Sequence, residues 1–155
     1  LKSKFNLYVF DNKILNIKEI KFIKGNCLNN NDLKKLPKNF DATIFLIGKK
    51  GGPKSLNINY YKDYFKSNCE TLINFLHSKR INFQKKIIFF STEHVYGDNT
   101  VVGNKKFEEP NPKNFYGSTK LLSEKILYNF WDNNKISVDI LRVPRIIIDE
   151  KKNIK

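Results

Sequence analysis

Lys86-Ile87-Ile88-Phe89-Phe90-Ser91-Thr92-Glu93-His94-Val95-Tyr96-Gly97 opens as an unbroken apolar run and closes on turn-forming residues. A run this short and apolar, bounded by Gly, predicts a strand buried on both faces. The pattern then changes period. From Phe115 to Trp131 the spacing predicts a helix, with Leu121, Leu122, the Lys125 stem, Ile126 and Phe130 in its apolar stripe. The same alternation holds upstream and downstream. Phe5 to Phe10 predicts a strand ending at Asp11, and Ile20 to Ile23 a second, followed by Gly25-Asn26-Cys27. Asn31 to Leu36 predicts a brief helix stopped by Pro37. Ala42 to Ile47 predicts a strand closed by Gly48, and Ser137 to Leu141 another, followed by Pro144. Asn59 to Lys79 has helical periodicity, with Tyr64, Phe65, Cys69, Leu72, Ile73 and Leu76 on one side. Residues 99–114 are polar, carry Pro110 and Pro112, and predict a loop. Apolar strands alternating with helices predict the α/β class: a parallel sheet covered on both faces, joined by right-handed crossovers. In such sheets ligands bind outside the carboxyl ends of the strands. Asp11, Gly48, Thr92 and Pro144 all fall there.

Tyr116 and Lys120 stand four apart on the predicted helix, hence on one face. An ammonium at that spacing stabilises the phenolate, so the ring can trade protons near neutral pH. The hydroxyl of Thr92, at the end of the preceding strand, can hold a substrate oxygen beside that phenol. Together these groups suit oxidation or reduction of an alcohol carbon against a nicotinamide.

The 155 residues are enough for one domain with a core. The chain begins at Leu1 and contains no Met. Net charge is +14, from 29 Lys+Arg against 15 Asp+Glu. The basic residues come in ones and twos (Lys34-Lys35, Lys49-Lys50, Lys85-Lys86, Lys105-Lys106, Lys151-Lys152) without a basic-aromatic repeat, so a nucleic-acid partner is not expected. A basic surface can still draw in a substrate carrying a diphosphate. No apolar run is long enough to span a bilayer. Cys27 and Cys69 have no metal-ligand or redox spacing and read as reduced thiols of a cytoplasmic protein. No metal site is expected.

Several stretches together resemble the extended short-chain dehydrogenase/reductase superfamily, in particular its NAD-dependent epimerase/dehydratase members acting on nucleotide sugars. They are VFDN at 9–12, DATIFLIGKK at 41–50, KSNCETL at 66–72, FFSTEHVYGD at 90–98, EEPNPKNFYGSTKLLSE at 108–124 and ILRVP at 140–144. A Tyr-x-x-x-Lys alone is weak. The run from Ser91 through the Tyr96-Gly97 turn, the Pro110-x-Pro112 loop and Tyr116-Gly117-Ser118-Thr119-Lys120 is specific. The resemblance implies a Rossmann-type doubly wound parallel sheet, here incomplete. The family opens with a strand and a Gly-x-x-Gly-x-x-Gly turn that receives the pyrophosphate. This sequence opens at what corresponds to the second strand, and Gly51-Gly52, which follows the fourth, does not replace that turn. Residues 1–145 are therefore expected to be a partial NAD(P)-binding domain, and 146–155 the start of a truncated substrate-binding region. On this expectation the chain is a piece of a roughly two-fold longer enzyme and binds cofactor poorly alone.

The resemblance also implies roles. Asp11 is expected to hold the adenosine ribose and to favour NAD, since a carboxylate repels a 2′-phosphate, with NADP left open by Lys13 nearby. Asp11-Asn12 also reads as a plain Asx turn. Asn26 and Cys27 are expected around the adenine. Leu46, Ile47, Gly48 and Lys50 are expected along the cofactor, although Leu46 and Ile47 also read as core and Lys50 as a solvated side chain. Asn68 is expected to brace the catalytic segment beside the cofactor. Thr92 is expected to bind the reacting sugar oxygen, Tyr116 to act as acid/base, and Lys120 to hold the nicotinamide ribose. Glu93 and His94 stand where sugar dehydratases carry an acid and a base; a His there weakens the dehydratase reading, and His94 equally reads as a solvent-facing loop residue. Val143 and Pro144 are expected at the nicotinamide, and Arg145 at the substrate diphosphate. The implied activity is epimerisation of a nucleotide sugar, ahead of reduction and dehydration. A non-catalytic dinucleotide-binding relative is a separate alternative. A homodimer through the two long helices is expected.

Overall fold

The structure is a computed structural model that describes residues 5–13, 20–78, 86–97, 109–134 and 136–144. Five strands form: β1 (Tyr8–Asp11), β2 (Lys21–Lys24), β3 (Ala42–Phe45), β4 (Lys86–Thr92) and β5 (Ser137–Val143). Every pair among the described strands is parallel, which needs a crossover connection rather than a tight hairpin. They make two sheets, β1-β2 and β3-β4-β5. The register sets Phe45 beside Phe89 and Thr92 beside Val143, so the ends of β4 and β5 finish together.

Helix α1 (Asn30–Leu33) is capped by Asn29, whose side chain accepts from the Asn31 amide. Before the next helix come two 3-10 turns, Pro53–Leu56 and Ile58–Tyr60, neither anticipated from periodicity. The next helical segment runs α2 (Tyr61–Phe65), a π-helical turn (Lys66–Glu70), and α3 (Thr71–His77). Helix α4 is Phe115–Asn134.

Phe75 of α3 and Leu127 of α4 join Phe45, Ile87 and Phe89 in one buried cluster with Cys27, Leu33 and Ile136. The Phe45 ring lies 5.3 Å from Phe75 and 6.2 Å from Phe89. This face of the three-stranded sheet is covered. On the other, Ile44 and Leu141 are 59% and 43% exposed, so among the described residues coverage of both faces is not seen.

Three helical readings need correction. On the segment after β3, Phe75 is buried and Ile73 exposed, because the buried stripe is centred on Tyr64, Asn68, Thr71, Leu72 and Phe75 at three- and four-residue spacings, with Ile73 outside its edge. On α4, Leu122 and Lys125 face solvent. Besides Gly117, the buried residues of its first half are the polar Thr119, Lys120, Ser123 and Glu124. Those polar groups are inside because each has a built partner, a pattern that hydropathy does not register. Within 99–114, residues 99–108 lie outside the described part, and 109–114 form no regular element. Among the described residues no helix is long and apolar enough to cross a membrane.

Candidate functional site

The carboxyl ends of β1, β2 and β3 open onto a cavity of about 360 Å³ lined by Asp11, Asn12, Lys13, Gly25, Asn26, Cys27, Leu28, Leu46, Ile47, Gly48, Ser67 and Thr71. That is the size of small-molecule sites. Six of the residues expected along the cofactor meet here: Asp11, Asn26, Cys27, Leu46, Ile47 and Gly48. Ser67 and Thr71 were not anticipated; four residues apart, they share the helix face that forms this wall, and the Thr71 hydroxyl donates to the Ser67 carbonyl at 2.7 Å. Asp11 accepts from the Lys13 amide at 2.8 Å, which is the Asx turn, and its carboxylate still lines the cavity. The Asn26 side chain accepts from the Leu28 amide at 2.9 Å. Burial, with Asp11 adding to it, pushes the Cys27 thiol up to about 12, so it stays protonated and serves as an apolar wall.

The second group of residues gathers at the ends of β4 and β5 and the start of α4. Thr92 is buried, and its hydroxyl oxygen accepts the His94 amide at 3.3 Å, capping the 3-10 turn Glu93–Tyr96. With its oxygen so engaged, the Thr92 hydroxyl keeps its hydrogen to donate outward. The turn carries Glu93, half-buried, and His94, exposed. The His94 ring sits edge-on to Tyr116 with centroids 5.5 Å apart. Against the Tyr116 ring lies Gly51, where a Cβ would fall 2.8 Å from Cδ1, so the loop after β3 packs on the phenol only because that position has no side chain.

Lys120 is 6% exposed, with its ammonium 4.1 Å from the Phe89 ring centroid. Burial lowers its amine from 10.5 to about 8, opposed by the nearby Glu124 carboxylate and by Cys69. No direct Tyr116–Lys120 hydrogen bond joins them among the described residues. Lys50 is exposed, Val143 is half-buried beside Thr92, and Pro144 is exposed at the end of β5. Arg145 lies outside the described residues.

Asn68 ties the two groups together. Its side chain accepts from the Lys49 amide at 2.7 Å and donates to Thr119 Oγ1 at 2.8 Å, while its carbonyl accepts from Ser123 Oγ at 2.9 Å. It is a brace between the loop after β3 and the first turns of α4. A Cβ on Gly48 would lie 2.8 Å from Asn68 Oδ1, so Gly48 is what permits the brace. Among the described residues no cluster of three or more His, Cys, Asp or Glu is placed to hold a metal.

A parallel α/β sheet with a cavity at its carboxyl edge, and a Tyr-x-x-x-Lys helix start beside a strand-end Thr, defines a Rossmann-type domain of the short-chain dehydrogenase/reductase kind. The chain belongs to the NAD dependent epimerase/dehydratase family, whose model matches residues 2–147. Among solved structures it is similar to a UDP-glucose 4-epimerase (24% identity, TM-score 0.78, covering 91% of this chain and 44% of that one). It is also similar to the UDP-Glc/GlcNAc 4-epimerase from Campylobacter jejuni (24%, 0.77, 92% and 46%). A third similar structure is the UDP-glucuronic acid 4-epimerase from Bacillus cereus in complex with NAD (24%, 0.73, 92% and 49%). At this identity the likeness is one of fold. The chain spans less than half the length of these structures. No curated protein matches it.

Proposed function

We propose that this chain forms the dinucleotide-binding and proton-transfer part of an NAD-dependent epimerase acting on a UDP-activated sugar. What supports the reading is that Thr92 ends β4 and caps the turn whose His94 ring lies edge-on to Tyr116, one helical turn before Lys120, with the cavity at the ends of β1 to β3.

The residues present fit the adenosine end of the cofactor. The cavity offers a carboxylate for ribose hydroxyls at Asp11, apolar walls for adenine at Cys27 and Ile47, and a backbone without a side chain at Gly48. The Asp11 charge favours NAD over NADP. When bound, NAD supplies the hydride acceptor and donor. The chain's own groups do the rest. The Thr92 hydroxyl donates to the reacting sugar oxygen and fixes its position. Tyr116 takes the proton from that hydroxyl and returns it on re-reduction. The Lys120 ammonium lends positive charge to the same helix face and holds ribose hydroxyls. His94, edge-on to Tyr116, closes one side of the phenol. Residues 1–145 are then the cofactor part, and 146–155 begin the substrate part.

Large apolar side chains left in solvent on α3 and α4 (Ile73, Leu122, Tyr128, Trp131) support self-association through these helices. The test of the enzymatic reading is exchange between two UDP-hexose epimers with NAD present. Tyr116→Phe is expected to abolish it, and an undiminished rate in that variant refutes the assignment.

A further inference from the structure

Glu124 is the most deeply buried charged side chain of α4, fully out of solvent. It meets the Arg142 guanidinium two-pronged: Nη2 to Oε2 at 2.6 Å, and Nε to Oε1 and Oε2 at 3.1 and 3.2 Å. Ser91 Oγ donates to the same carboxylate. On its far side Arg142 donates from Nη1 to the Tyr96 hydroxyl at 2.7 Å and lies 4.9 Å from the Tyr96 ring centroid. Four elements meet in this one network. Each member sits beside a residue of the site: Ser91 precedes Thr92, Tyr96 ends the turn carrying His94, Arg142 precedes Val143, and Glu124 follows Lys120 by one helical turn.

A buried ion pair is poor evidence of stability, because apolar residues of similar volume often serve as well or better. What apolar packing lacks is direction. A forked guanidinium on a carboxylate fixes both distance and angle between the elements that carry them. We propose that Glu124, Arg142 and Tyr96 are positioning residues that lock the Glu93–Tyr96 turn and the end of β4 in register against α4, holding Thr92 and His94 opposite Tyr116. The inference rests on the reading of Thr92, Tyr116 and Lys120 as the reacting site.

The test compares hydrogen exchange and turnover in three forms of the polypeptide that carries this chain: wild type, Tyr96→Phe, and the triple variant Ser91→Ala, Glu124→Leu, Arg142→Met. The triple variant removes the network without leaving a buried charge. Tyr96→Phe keeps the ion pair intact and cuts only the link to the turn, so it stays informative even where the triple variant does not fold. The His94 and Gly97 amides, bonded to Thr92 Oγ1 and the His94 carbonyl, report the turn. In Tyr96→Phe, and in a folded triple variant, they are expected to exchange at least about tenfold faster while Ile87–Phe89 are unchanged. Turnover of a UDP-hexose is expected to fall in kcat with little change in KM. Wild-type exchange at His94 and Gly97 in Tyr96→Phe overturns the clamp. A wild-type protein that exchanges as expected yet turns over no nucleotide sugar leaves the clamp standing and refutes the enzymatic reading instead.

Discussion

Replacing Lys120 by Met isolates one charge in the interior of the site. The wild-type amine is buried against Phe89 and loses its proton near pH 8 when folded, against 10.5 for the ordinary side chain. Between those values the unfolded chain binds more protons than the folded one, so the Lys120 contribution to stability rises with pH. It is fully present above about 10.5 and is lost as pH falls through about 8. A drop of this size corresponds to about 3 kcal/mol between the two ends of the window. The neighbouring Glu124 carboxylate opposes the burial, and Arg142 already engages that carboxylate. The assay is urea unfolding of wild type and Lys120→Met across neutral to alkaline pH. Groups away from Lys120 titrate alike in both proteins, and with Cys69→Ala placed in both backgrounds to remove the thiol coupled to this amine, the difference between them belongs to Lys120. The wild type is expected to gain on the variant by about 3 kcal/mol from pH 8 to 10.5, and the difference to be flat below 8. A difference that stays flat across that window refutes a buried, desolvated amine, and with it the account of why this Lys sits where it does.

Three further outcomes are expected. Asn68→Ala removes the acceptor of the Lys49 amide and the donor to the Thr119 oxygen, whose hydroxyl still donates to the Phe115 carbonyl, and is expected to cost about 2 kcal/mol in urea unfolding. Cys27 and Cys69 are buried, and burial raises both thiols, so neither is expected to alkylate in the folded protein at neutral pH while both do in urea. The polypeptide carrying this chain is expected to sediment as a dimer at micromolar concentration. Trp131→Lys and Leu122→Lys together shift it to monomer, and a wild-type monomer removes the self-association proposal.

Much of the architecture is readable from local pattern. The apolar run Ile87 to Phe90 between turn residues reads as a strand and is one, buried at Ile87 and Phe89 and half-buried at Ile88 on the uncovered face, and the change of period at Phe115 marks the helix that begins at that residue. The cavity residues obey the same logic, because carboxyl ends of parallel strands are where backbone and turns are free to meet a ligand. What periodicity does not carry is the π turn at Lys66–Glu70. Nor does it show that the polar Ser67 and Thr71 face the cavity while the apolar Ile73 is left in solvent. Nor does hydropathy reveal that α4 buries Thr119, Lys120, Ser123 and Glu124, since their partners come from residues far along the chain. Glu124 and Arg142 stand 18 residues apart in sequence, and only the β4-β5 register places Ser91 beside Arg142. Gly51 is similarly silent in sequence. Its meaning is the Tyr116 ring above it.

The central claim is that Tyr116 moves the proton while NAD takes the hydride. Its most direct measurement is the conversion of a UDP-hexose to its epimer by the NAD-loaded polypeptide that carries this chain, wild type against Tyr116→Phe, with NAD affinity measured in parallel. The account predicts conversion by the wild type and a loss of about 10²- to 10⁴-fold in Tyr116→Phe with NAD affinity retained. Equal conversion by the two proteins contradicts it.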